Sequence, residues 1–319
     1  MRLFGSSIAV SVVSALLTVA ACGNDERAST GTSSTSPVGS STPASPPGTE
    51  TPPPAPPGST VKSEVPPPPP ELQVNVTNEV IDVNGLERLY TLVAPKEPGT
   101  AVRPLVLAFH GDGGNGAAMH AAYPIEKVAG DSAIIVYPRG LGGGWDLYTP
   151  PASNKDNAFI DLLIAQLQVR FAIDTTRIFA MGFSSGAFFS SQLACRKPTL
   201  LRGILVIGGG APQEPNDPAA SSWPNGYTKC AGQTSGVAAM VIHGEADGVV
   251  TVGSGEFAAK YWAYVDGCSD ARATATPAPC EQHQGCPAAM PVTFCKIPGL
   301  GHEIWGPSLT VGWGFFTSL

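Results

Sequence analysis

"RIFAMGFSSGAFFSSQ", Arg177 to Gln192, runs from an apolar segment through Gly-Phe-Ser-Ser-Gly into a stretch rich in Ala, Phe, Ser and Gln. A short continuous apolar run that stops at glycine reads as a strand buried on both faces. The Ala- and Phe-rich stretch after the glycines reads as a helix turning back over it. The same arrangement occurs elsewhere in the chain, in "PLVLAFHG" (104–111), "SAIIVYP" (132–138), "LRGILVIGG" (201–209), "VAAMVIHG" (237–244) and "MPVTFCKIPG" (290–299). Between these runs lie helical stretches at 117–129, 157–171, 185–197 and 255–265, with a last one at 308–317. Ser153 and Asp156 stand before the second of them as capping-box partners. Two alternating runs, 72–82 and 87–94, separated by "VNGL", predict an opening hairpin. The expected fold is α/β: a mostly parallel, doubly wound sheet with an antiparallel N-terminal hairpin.

In such sheets ligands collect at the carboxyl ends of the strands, so the residues just past each strand are the candidates for chemistry. "GFSSG" satisfies Gly-x-Ser-x-Gly only with Ser184 in the middle. On a sharp strand-to-helix turn that serine takes a strained backbone and projects its hydroxyl above the sheet. With 37 glycines in the chain a lone match proves little, and Ser184 as a plain helix cap is the competing reading. A serine hydroxyl needs a base, and the base needs a carboxylate to hold its tautomer. "HGEADGVV" (243–250) offers Glu245 and Asp247, and "GLGHEIW" (299–305) offers His302, in the order serine, acid, histidine. "HGDGG" (110–114) supplies a turn whose amides can face an oxyanion, which assigns that role to the backbone N–H groups of Asp112 and Ser185. His110 and His243 open glycine-containing turns, where they are expected to hold loops.

Outside this region the composition changes. Arg2 and the apolar stretch 8–21 precede "VAAC", a bacterial lipobox in which Cys22 carries the lipid. Residues 1–21 are therefore read as a lipoprotein signal peptide. Residues 22–70 hold 14 of the 32 prolines between Pro37 and Pro70, and are expected to form a disordered tether reaching on the order of 100 Å. Residues 71–319 then suffice for one large domain. The net charge is −7, from 18 Lys and Arg against 25 Asp and Glu, and charged residues make up 13% of the chain. Neither a nucleic-acid partner nor a strongly charged one fits that balance. Six cysteines remain after Cys22, and an even number in an exported chain points to disulfides. "CEQHQGC" (280–286) has the residues for zinc but lacks a second ligand pair, so no metal is expected.

The segments "RPLVLAFHGDGGNG", "IIVYPRG", "DNAFIDLLIAQL", "TRIFAMGFSSGA", "HGEADGVV" and "GLGHEIW", taken together, resemble carbohydrate esterase family one. That family comprises feruloyl and acetylxylan esterases and has poly(3-hydroxybutyrate) depolymerase-like relatives, some of them lipoproteins. The resemblance covers Leu89 to Phe316. It implies an α/β-hydrolase fold, a cofactor-free serine esterase, Ser184 as nucleophile, Asp247 as acid and His302 as base. Implied substrates are esters on plant cell-wall polysaccharide, or alternatively a hydroxyalkanoate polyester. An inactive surface-binding lipoprotein on the same scaffold is the reading of another class. Trp305 is a candidate substrate contact. Trp145 is either another such contact or a half-buried core indole. The family's disulfide pattern favours Cys195 with Cys230, and the remaining four are expected to pair as Cys268 with Cys295 and Cys280 with Cys286. The implied location is an exported, membrane-anchored lipoprotein.

Overall fold

A computed structural model describes residues 71–319; the segments read as signal peptide and tether, with Cys22, lie outside the described residues. In chain order the elements are β1 (Val74–Val83), β2 (Leu86–Pro95), β3 (Arg103–Phe109), α1 (Gly116–Ala122), α2 (Glu126–Ala129), β4 (Ile134–Pro138) and α3 (Lys155–Arg170). They continue with β5 (Ile173–Phe183), α4 (Ser185–Arg196), β6 (Gly203–Ile207), the short β7 (Ser221–Ser222) and β8 (Thr228–Lys229), and β9 (Ala238–Gly244). The last are α5 (Val252–Val265), β10 (Arg272–Thr274), β11 (Cys280–His283), β12 (Val292–Ile297) and α6 (Ser308–Thr317).

Ten strands form one sheet in the order β1-β2-β4-β3-β5-β6-β9-β12-β11-β10. The six from β4 to β12 run parallel, and an antiparallel pair closes each edge. The strand period of two divides the core between two faces. Leu105, Leu107 and Phe109 of β3 pack with α3, α4 and α5, while Val106 and Ala108 pack with α1, α2 and α6. This two-sided burial is why the central strands read as unbroken apolar runs. The β1–β2 hairpin turns at Asn84 and Gly85, both with positive φ, as "VNGL" requires.

Three expectations are corrected. The single helix expected at 117–129 divides into α1 and α2, because Pro124 lacks an N–H and disfavours helical backbone at the residue before it. The capping box of Ser153 and Asp156 does not form. Asn154 caps α3, its Oδ1 accepting from the Asn157 N–H at 2.9 Å. Asp156 is instead committed to a buried ion pair with Arg88 at 2.6 Å, and Arg88 lies over the Phe159 ring.

The third correction concerns the cysteines. Cys195 bonds Cys230 as expected, but the other pairs are Cys268–Cys286 and Cys280–Cys295, not Cys268–Cys295 and Cys280–Cys286. The reason is register: β11 lies antiparallel beside β12, and Cys280 stands directly opposite Cys295. That leaves Cys268, just past α5, to meet Cys286 in the turn after β11. His283 sits in β11, where its Nδ1–H donates to the Ser269 carbonyl and its Nε2 accepts from Arg272.

Candidate active site

The turn from β5 into α4 holds Ser184 at φ 55° and ψ −123°. Among the described residues Asn84 is the only other non-glycine with positive φ. The glycines on either side permit the turn by their lack of a side chain. A β-carbon on Gly182 would lie 2.2 Å from the Gly186 carbonyl carbon, and one on Gly186 would lie 2.4 Å from the Phe109 carbonyl oxygen. The Ser184 N–H donates to the Ile207 carbonyl at 2.9 Å, which ties the turn to the end of β6.

His302 reaches this serine from the loop after β12, and Asp247 reaches His302 from the loop after β9. The His302 Nδ1 to Asp247 Oδ2 distance is 2.7 Å, and Nε2 to Ser184 Oγ is 2.9 Å. An ionised carboxylate can only accept, so Nδ1 carries the proton and Nε2 is left to accept from the serine hydroxyl. Burial pushes the Asp247 pKa up, but the hydrogen bond from His302 and those from the Val249 and Val250 amides outweigh it. The net shift is downward, and the carboxylate stays charged where a developing imidazolium needs it. Glu245, the other acid of the same loop, pairs with Lys296 at the surface, 3.3 Å away.

Two of the other histidines hold loops. His243 donates from Nε2 to the Val250 carbonyl at 2.7 Å and stands 3.3 Å from Asp247 Oδ2, bracing the loop that carries the acid. His110 donates from Nδ1 to the Gly111 carbonyl and accepts at Nε2 from the Gly140 amide. Burial lowers its pKa and keeps it neutral, as the accepting Nε2 demands.

The loop of residues 110–114 passes against Ser184: a β-carbon on Gly111 would stand 3.2 Å from that of Ser184. Asp112 is the next residue of that loop, and Ser185 opens α4, where its N–H has no carbonyl four residues back. Among the described residues neither amide donates to another backbone carbonyl. The Asp112 carboxylate points at the Gly144 segment, 3.0 Å from where a β-carbon on Gly144 would stand. Trp145 is core: it is 7% exposed, stacks on Phe189 and donates its indole N–H to the His110 carbonyl. It therefore supports the Asp112 loop. Trp305 is half-buried in the loop between His302 and α6.

One feature was not foreseen from the sequence. Along α4 is a mostly apolar cavity of about 130 Å³ lined by Leu147, Tyr148, Phe188, Gln192, Ala211 and Gln213. Phe188 and Gln192, four residues apart, put the cavity along one face of α4, the helix that follows Ser184. Gln192 donates to the Leu147 and Gln213 carbonyls and so pins both wall loops. The buried Arg196–Glu214 pair anchors one of them again. The spacing of Phe188 and Gln192 was visible in the sequence; the loops that complete the cavity come from distant segments.

Comparison with known proteins gives relatives throughout the described part of the chain. A family described as Phospholipase/Carboxylesterase matches residues 149–297. The "Probable feruloyl esterase C" of Aspergillus terreus is 30% identical over 267 residues, covering 77% of this chain and 88% of the relative. The protein of the same name from Aspergillus niger is 30% identical over 248 residues, covering 72% and 80%. Among solved structures, an acetyl xylan esterase from Aspergillus awamori superposes with a TM-score of 0.61 at 18% identity, covering 76% of this chain and 100% of that one. A feruloyl esterase module from Clostridium thermocellum, complexed with sinapinate, gives 0.55 at 11% identity, covering 79% and 90%. At these identities the two structures bear on the fold alone, which is that of the α/β hydrolases.

Proposed function

The chain belongs to the feruloyl/acetylxylan esterase-type family and is a carboxylic ester hydrolase, and on that premise we propose that it works through Ser184, His302 and Asp247. The observation that carries the proposal is the relay of 2.7 and 2.9 Å from Asp247 through His302 to a serine held at positive φ. His302 Nε2 takes the hydroxyl proton as Ser184 Oγ attacks the ester carbonyl carbon. The Asp112 and Ser185 amides receive the oxyanion. The tetrahedral adduct collapses, the alkoxide leaves with the proton from His302, and an acyl-serine remains. Water, deprotonated by the same imidazole, then releases the acid and restores the serine.

The substrate proposed is a feruloyl or acetyl ester on plant cell-wall polysaccharide. The names of the relatives support that class, and the small apolar cavity along the helix that follows the serine suits an acyl group without charge. The site is further proposed to act outside the cytoplasm on a lipid-anchored chain. The lipobox at Cys22 supports this, as do three disulfides of a kind that persists in oxidising compartments.

The test is hydrolysis of methyl ferulate and p-nitrophenyl acetate by the purified chain and its Ser184→Ala variant. The expected loss of kcat/KM is on the order of 10⁴-fold or more. Equal rates in the two proteins would refute the assignment.

A further inference from the structure

A cavity of about 900 Å³ lies away from Ser184, between α6 and the β12–β11–β10 edge. Its floor is one row of the sheet: Met240, Thr293, Gln282 and Ala273 are successive partners across β9, β12, β11 and β10. Its wall is the α6 stripe of Thr310, Gly314 and Ser318, spaced by four. Thr293 is the second residue of β12, whereas His302 lies beyond that strand's other end. The groove therefore opens at the opposite end of the strands from the nucleophile.

No Asp, Glu, Lys or Arg lines it. Its lining is mostly hydroxyl, amide, proline and small apolar side chains, together with Met240, Phe315, the disulfide-bonded Cys286 and His283, whose ring is hydrogen-bonded within the fold. Among the described residues the side chains of Thr274, Thr276, Gln282, Gln284, Thr293 and Thr310 make no hydrogen bond within the chain. Thr293 lines the groove and is only 5% exposed, and its hydroxyl has no partner within the chain. We propose that this groove binds a stretch of neutral polysaccharide and holds the enzyme on its polymer while the serine edge stays free.

The chemistry separates this ligand from others. Hydroxyls and amides both donate and accept, as sugar hydroxyls do, and the prolines and alanines offer apolar contact to the C–H faces of sugar rings. Nucleic acid and anionic lipid need a cationic surface, which is absent from the lining. A protein partner's interface core is enriched in aromatic residues and arginine, and this lining holds Phe315 alone of those. The ligand extends the proposed polysaccharide-ester reading, but its recognition involves no ester.

The experiment uses the full chain and ester-free xylan as probe, with binding read by co-sedimentation and affinity electrophoresis. Soluble p-nitrophenyl acetate hydrolysis and thermal melting are measured in parallel. Gly314 lines the groove and has no atom within 4 Å of where a β-carbon would sit, so the side chain of Gly314→Trp starts from open space and obstructs the groove, with thermal melting checking that the fold is kept. That variant is expected to abolish binding. The double variant Thr293→Val and Gln282→Leu is expected to weaken it roughly ten-fold. Hydrolysis of the soluble ester should stay at the wild-type rate in both. Three outcomes would overturn the proposal: no retention of the wild-type chain on xylan, wild-type retention by the variants, or a groove occupied by a second copy of the chain in sedimentation. Xylan binding without any ester hydrolysis would leave the groove standing and sink the esterase site. Hydrolysis without binding would do the reverse.

Discussion

Ser184 carries a backbone conformation that favours glycine, and such a residue costs about 1–3 kcal/mol. Replacing it separates stability from chemistry. Ser184→Gly should raise the unfolding free energy by on the order of 1 kcal/mol in urea titration while abolishing turnover. Ser185 presents the opposite case. Its hydroxyl is buried without a partner, whereas its amide, at the first position of α4, survives any side-chain change. Ser185→Ala should therefore keep kcat/KM within about three-fold and leave stability unchanged or slightly higher. Comparable losses of activity in Ser184→Ala and Ser185→Ala would place the nucleophile one residue away from where it is assigned. The proposed difference between the two serines is readable in "GFSSG", because Gly-x-Ser-x-Gly places Ser184 at its centre and Ser185 at the variable position. The role of Trp145 is not, since a tryptophan beside glycines reads equally as wall or core until its Phe109 and Phe189 neighbours are known.

Helix α5 ends in a carboxylate that the solvent does not reach. Asp266 is its C-cap, at the end of the helix where the backbone carbonyls already concentrate negative charge. Burial raises its pKa to about 8, and the Gly236 and Val237 amides offset only part of this. A folded pKa above the unfolded value of 3.8 means that the stability Asp266 contributes is full below about pH 4. It is lost as pH rises towards about 8, at roughly 1.4 kcal/mol per pH unit. Asp266→Asn should flatten that slope in urea midpoints measured from pH 4 to 8, and should be the more stable protein at pH 8. An unchanged slope would mean that the group is ionised in the fold. The parallel strands and long helices were readable because burial on one or two faces imposes a hydrophobic period. β10 and β11 were not, being three and four residues long and rich in polar side chains. The two misassigned disulfides result from that omission, because only the antiparallel register sets Cys280 against Cys295.

At the scale of the whole molecule, the sheet brings residues 112, 184, 247 and 302 to one edge, and leaves the α6 groove at the other end of its strands. The order of strand exits was legible in the chain; the two cavities were not, since each is closed by loops or strands distant in sequence. The proposed lipid anchor on Cys22 makes a separate prediction. Cys22→Ala should move the protein from the detergent phase to the aqueous phase on Triton X-114 partition while soluble-ester hydrolysis persists. The central claim is that hydrolysis passes through a covalent acyl group on Ser184. The measurement that reaches it is peptide mapping by mass spectrometry of the chain quenched in acid during turnover of methyl ferulate. The account predicts a feruloyl adduct on the peptide containing Ser184, localised to that residue and absent from Ser184→Ala. An adduct on Ser185 or on another residue, or full turnover by Ser184→Ala, would contradict it.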